Sequence, residues 1–130
     1  MNKLSSTILI VFILLLTCSP ELTFNDYNKS REYNLGGKSV VIGKVIDTEN
    51  KKTLAGANVI INATTYGAAA DTNGQYVIKD IAPGNYTLDC LMIGYKTKTT
   101  SEIVLKENKV SRINFELTPE EDDPIIINVN

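Results

Sequence analysis

Residues 67–92 read GAAADTNGQYVIKDIAPGNYTLDCLM, and this stretch decides the fold. Tyr76 and Ile78 alternate with polar neighbours, and so do Tyr86, Leu88, Cys90 and Met92. A period of two residues puts each set on one face of an extended strand. The breaks between the runs carry turn chemistry. Asp71-Thr72-Asn73-Gly74 suits a hairpin in which Gly74 takes a positive φ. In Ala82-Pro83-Gly84-Asn85 the proline presets φ, and Gly84 supplies the positive φ of a type II turn.

Working outward, the same alternation recurs. It predicts seven strands: Val41–Ile46, Asn58–Ala63, Gly67–Ala70, Tyr76–Lys79, Tyr86–Met92, a bent Tyr95–Leu105, and Val110–Leu117. Val59 and Ile61 share one face, as do Ile113, Phe115 and Leu117. Leu54-Ala55-Gly56-Ala57 enters the second strand on small residues that let the backbone pass close to a neighbour. Short strands with such turns predict an all-β domain, an antiparallel sandwich or small barrel. A fold of about 80 residues buries only about 60–65% of its unfolded surface, enough for one thin core and no deep pocket.

Composition narrows the function classes. The chain has 130 residues, with 13 Lys and Arg against 15 Asp and Glu, a formal charge of −2. That balance lacks the phosphate-neutralising charge on which nucleic-acid binding draws, so no nucleic-acid partner is expected. There is no His and no Trp. The first absence removes Ser-His-Asp triads, Cys-His pairs and His-ligated zinc. The second weakens any large aromatic platform for sugars. No catalytic residue, cofactor or metal site is expected, and the chain reads as a non-enzyme.

Both ends lie outside the β pattern. Lys3 precedes an apolar run from Ile8 to Leu16. That run is too short for an ordinary transmembrane helix and fits the core of a secretory signal peptide over residues 1–18. Leu15-Leu16-Thr17-Cys18 is similar to a lipobox, which makes Cys18 a candidate lipidation site and the only expected link to a membrane. Removal of residues 1–18 leaves twelve basic and fifteen acidic residues. Residues 19–38 read as a linker, and 39–118 as the folded domain. Residues 119–130 form a tail, in which the acidic run Glu120 to Asp123 and Pro124 precede Ile125-Ile126-Ile127-Asn128-Val129. This apolar segment fits addition to a sheet edge, on its own domain or on a partner.

Gly43-Lys44-Val45-Ile46-Asp47, Leu54 to Val59, Gly67 to Tyr76, Ile81 to Leu88 and Ile93-Gly94-Tyr95-Lys96, in that order, resemble a carboxypeptidase-regulatory-like domain. The resemblance implies a seven-stranded, transthyretin-like Greek-key sandwich without catalytic residues. Its structural motif maps to Gly43, Gly56, Asp71, Asn73, Gly74, Tyr76, Pro83, Gly84, Tyr86, Gly94 and Tyr95. The version with Pro-Gly-x-Tyr and Ile-Gly-Tyr is most similar to the module that precedes the plug and barrel of TonB-dependent outer-membrane receptors in Bacteroidetes-type bacteria. Neither plug nor barrel follows here. The resemblance implies an exported interaction or spacer module of the bacterial cell envelope (periplasm or outer membrane), with another envelope protein as partner. A carbohydrate-binding, starch-binding-like module is the alternative, with Tyr66 and Tyr95 as ligand contacts. A leader fragment of a truncated receptor is a third reading.

Three features have bland readings beside functional ones. Asp71-x-Asn73-Gly74 shares letters with a calcium loop but lacks the closing bidentate carboxylate, so turn chemistry is expected. Lys44 and Asn114 fall on the first and last strands, where related pilin-type domains form an isopeptide bond. The acid such chemistry needs is replaced by Cys90. Cys90 itself has no adjacent cation to activate it and reads as a small buried hydrophobe.

Overall fold

The computed structural model describes residues 24–25 and 34–121. Ten hydrogen-bonded segments follow one another: β1 (Ser39–Asp47), β2 (Asn58–Ile61), β3 (Gly67–Ala69), β4 (Gln75–Ile81), β5 (Gly84–Tyr86), β6 (Leu88–Leu91), β7 (Lys98–Thr99), β8 (Ile103–Leu105), β9 (Val110–Arg112) and β10 (Phe115–Leu117). One sheet has β1 at its centre, between β4 and the β9 and β10 segments; the other runs β3-β2-β6-β7; β5 pairs with β8. The domain is a β-sandwich, as the alternation predicts. The predicted signal peptide, Cys18 and the apolar tail lie outside the described residues.

Three of the predicted strands are interrupted. The pairs Tyr86↔Ile103 and Asp89↔Thr99 belong to two ladders whose registers differ by one residue. Leu88 and Thr100 bond between them through Thr100 N–H to the Leu88 carbonyl (2.9 Å). A bulge therefore divides the fifth and sixth predicted strands at the same level. The last strand breaks differently. Val40↔Val110 and Val45↔Phe115 keep one register along β1, so β9 and β10 are a single strand interrupted at Ile113 and Asn114. Its pairing with β1 is parallel, whereas the other ladders are antiparallel. Local alternation carries no information on strand direction, which explains why the sequence reading expected antiparallel pairs throughout.

β4 runs two residues beyond the predicted Lys79. Asp80 adopts φ 60°, and the β1–β4 register shifts there. The extra residue turns Ile81 inward, in line with Tyr76 and Ile78, and all three are buried. The core lies between the sheets and includes Val41, Val45, Val59, Ile61, Leu88, Cys90, Leu105, Phe115 and Leu117. At about 25 cal/mol per Å² of apolar surface, burial of each larger side chain contributes about 1.5–3 kcal/mol.

A second, smaller cluster lies on the outer face of the first sheet. Val40 and Ile42 point away from the core yet are only 2% and 1% exposed. Val77, Val110, Leu35 and Phe24 pack around them, and the Arg112 guanidinium lies 5.9 Å from the centre of the Phe24 ring. The linker reading of residues 19–38 therefore gives way at Phe24 and Leu35, whose side chains cover this face. Scattered apolar residues in a polar segment carry no period, which is why their role was invisible in the sequence.

Candidate functional site

The motif residues assemble into three hydrogen-bonded nodes, each built on the backbone. The first joins Gly43, Tyr76 and the interruption at Ile113-Asn114. The Ile113 carbonyl sits where a Gly43 Cβ would be, 1.7 Å away, so only glycine fits. Tyr76 pairs with Gly43 across the ladder and donates its phenol to that carbonyl at 2.5 Å. Burial pushes the Tyr76 phenol far above its ordinary value, so it remains a donor. Asn114 Oδ1 accepts from the Lys44 backbone N–H at 3.0 Å, replacing a ladder carbonyl. Lys44 and Asn114 are thus neighbours as expected, but the contact is made by the lysine backbone, and both side chains are exposed. The burial that an isopeptide bond requires is missing.

The second node joins the sheets at one end of the sandwich. Asp47, at the end of β1, is buried. Its Oδ1 accepts from the Glu49 N–H (2.7 Å) and the Asn50 N–H (3.2 Å), and its Oδ2 from the Tyr95 phenol (2.8 Å). The Tyr95 hydrogen bond, with the two amides, holds the Asp47 carboxyl below its ordinary value; the same bond raises Tyr95. Gly94, at φ 84°, precedes Tyr95 in the loop after β6, and its carbonyl accepts from the Glu120 N–H at 2.9 Å. Asp47 was not singled out by sequence reasoning as a functional residue. Its signal was only its place beside the turn residues Thr48 to Lys52.

The third node is a pair of turns. Asp71 Oδ1 accepts from the N–H groups of Asn73 (2.8 Å) and Gln75 (2.9 Å), while Gly74 sits at φ 72°. The Asp71 carboxylate is spent on the backbone, which is turn chemistry. Gly56, at φ 83°, donates its N–H to the Ala70 carbonyl at the entrance to β2. The Pro83-Gly84 turn departs from expectation: Gly84 is not in the left-handed region and begins β5. Pro83 sits exposed in the bend before it. The Tyr86 ring folds back over Gly84, at ordinary contact distance from where a Cβ would be, and donates its phenol to the Ala82 carbonyl at 2.7 Å.

The proposed ligand tyrosines do not meet. Ile61 pairs with Leu88 and Asn58 with Leu91, so the two ends of the β2–β6 ladder are about 10 Å apart. Tyr66 lies at the first end, where its carbonyl accepts from the Ile61 N–H, and Tyr95 lies beyond the second. Both are half-buried against the core. Asn73 is at the Tyr95 end, since the Gly74 carbonyl accepts from Val45 N–H on the way to Asp47. Cys90 is fully buried, and burial pushes its thiol up to about 11, which leaves it protonated. Among the described residues no cluster of three metal-ligating side chains forms.

Three large apolar side chains are exposed among the described residues: Ile93 in the loop after β6, Val104 in β8, and Ile60 on the outer face of the second sheet. Ile60 is 40% exposed, and Asn58, Gly67, Ala69 and Leu91 line a shallow hollow beside it.

Comparison with known proteins agrees with this architecture. A TonB-dependent transporter, Oar, of Myxococcus xanthus is 34% identical over 88 residues, which are 63% of this chain and 8% of the transporter. The chain thus spans a small fraction of that relative's length. A type II cohesin–X-dockerin complex from Acetivibrio cellulolyticus, an interface mutant, superposes with a TM-score of 0.53 at 26% identity over 59% of this chain and 52% of that one. The pilus 2b backbone protein of group B streptococcus shares the fold, with a TM-score of 0.50 at 18% identity over 63% of this chain and 41% of its own. The family model of the CarboxypepD_reg-like domain matches residues 41–124. This sandwich, with its Gly43–Tyr76 node and its backbone-directed turn residues, belongs to the CarboxypepD_reg-like domain family.

Proposed function

We propose that the protein is a non-catalytic, exported sandwich that serves as an interaction or spacing module in the bacterial cell envelope. One observation carries this reading. The side chains that give the motif its identity are consumed internally: Asp47, Asp71, Tyr76, Tyr86 and Tyr95 each bond to a backbone group or to one another. What the domain offers a partner is backbone at its sheet edges and the apolar hollow beside Ile60. Similarity to part of a TonB-dependent transporter supports the envelope location. Tyr66 and Tyr95, the contacts offered for the carbohydrate alternative, are half-buried at opposite ends of the β2–β6 ladder, which favours the interaction-module reading.

Cell fractionation with mass spectrometry of the mature N-terminus tests the reading. The expected result is an envelope protein lacking residues 1–18, and a diacylglyceryl group on Cys18 would identify the anchor. Retention in the cytoplasm, or hydrolytic turnover by the purified chain, would overturn it. A glycan array that bound the chain and lost binding with Tyr66→Ala would move the assignment to a carbohydrate-binding module.

A further inference from the structure

Among the described residues β1 and the interrupted strand β9–β10 are the first and last strands, and they are parallel neighbours. One register holds from Val40↔Val110 to Asp47↔Leu117. The chain therefore enters the sandwich at the Ser39 end and leaves it at the Leu117 end, roughly 26 Å away along β1. This direction decides how the fold meets tension. A pull on the segments before Ser39 and after Leu117 drags the two strands past each other along their length. The bonds between them share the load, and none opens until the strands slide. In an antiparallel pair both segments would leave from one end, and the same pull would open the bonds one at a time.

The pair is bonded along its whole length. Val40 N–H donates to the Lys109 carbonyl (3.1 Å), Ile113 N–H to the Ile42 carbonyl (2.8 Å) and Thr48 N–H to the Leu117 carbonyl (3.0 Å). Its middle is locked at the Gly43 node, where Asn114 Oδ1 accepts from Lys44 N–H and the Tyr76 phenol holds the Ile113 carbonyl over Gly43. A slide of two residues would drive that carbonyl onto Val41 or Val45, which share the face of Gly43 and carry the Cβ it lacks. Both points of entry are tied down as well. Before β1, the N–H groups of Leu35 and Gly37 donate to Asn108 Oδ1, each at 3.0 Å. After β10, Lys96 N–H donates to the Thr118 carbonyl and Glu120 N–H to the Gly94 carbonyl, each at 2.9 Å. On its other side β1 pairs with β4, so it cannot slide without shearing a second ladder.

We propose that the domain carries tension along β1, from the segment before Ser39 to the segment after Leu117, with β1 and β9–β10 as the mechanical clamp. The proposal rests on the spacing-module reading and gives the spacer a mechanical task. Single-molecule stretching of the full chain tests it, in a Cys18→Ser background that leaves buried Cys90 as the remaining thiol. Handles on Asn2→Cys and Asn130→Cys load the strands in shear. Handles on Glu49→Cys and Asn130→Cys pull from the Asp47–Leu117 end and peel them apart. Forced unfolding follows the unfolding rate, and at equal loading rate the expected force is about threefold or more higher in shear. Asn114→Ala removes the acceptor of Lys44 N–H and lowers the shear force by about a fifth or more. It leaves the peeling force unchanged, because peeling peaks before it reaches position 114. Three results would overturn the proposal: equal forces in the two directions, a shear force that Asn114→Ala leaves unchanged, or both forces falling together in that variant. A cytoplasmic location would sink the module reading, whereas equal forces sink the clamp alone, so the two failures are distinguishable.

Discussion

The two sheets have opposite outer faces. On the first, Ile42 is 1% exposed beneath Phe24, Leu35 and Val77; on the second, the comparable outward residue Ile60 is 40% exposed beside Gly67 and Ala69. Both residues lie in apolar triplets, Val40-Val41-Ile42 and Val59-Ile60-Ile61. A triplet places at least one apolar side chain on each face of its strand, so each asks for cover on both sides. The first sheet finds its second cover within the chain. Among the described residues the second sheet does not. This difference separates a face that holds the fold together from a face that stays open among the described residues.

Substitutions can break this contrast. The largest effect is expected from Gly43→Ala at the centre of the first sheet. Its Cβ would collide with the Ile113 carbonyl, which is backbone and held by Tyr76. A loss of about 4 kcal/mol is expected in denaturant unfolding. A change below 1 kcal/mol would mean that β9 and β10 do not press against β1. Ile42→Ala should cost about 3 kcal/mol by the same measurement, as for any buried isoleucine, although Ile42 faces away from the main core. Phe24→Ala removes only the cover and should cost about 1 kcal/mol while raising dye binding to the newly bared Val40 and Ile42. An unchanged midpoint would show that Phe24 does not seal the face.

A smaller effect concerns the tie between the sheets, where β1 supplies Asp47 and the loop after β6 supplies Tyr95. The folded Asp47 pKa lies below its unfolded value near 3.8. Its contribution is therefore complete above about pH 4 and is lost as the pH falls through the lower folded value. Tyr95→Phe removes the leading cause of the shift. The difference between unfolding midpoints at pH 7 and pH 3 should narrow in that variant; an identical difference would place the acid sensitivity elsewhere. The smallest effect closes the comparison: Ile60→Ala on the open face should stay within about 0.5 kcal/mol in dilute solution. A loss as large as that of Ile42→Ala would show that this face is covered after all.

Much of the domain was legible in linear form. Alternation located the strands and their inward residues, because a half-buried strand repeats every two residues. Asp71 and Gly74 announced their turn, since few side chains satisfy its geometry. Gly84 falls in the turn that the sequence predicts but without the positive φ expected of it. The Asp47–Tyr95 tie was missed because its partners are 48 positions apart and sit in separate local motifs that do not say they meet.

By itself, then, the order of residues determined the layers, the turns and the family, all properties written at short range in side-chain periodicity and backbone preference. Only the tertiary structure decided strand direction, the bulges at Ser101–Glu102 and Asp80, the glycine required at position 43, and which apolar face is covered. Those depend on which distant segments meet, and a collision or a hydrogen bond between them exists only once the chain has closed on itself.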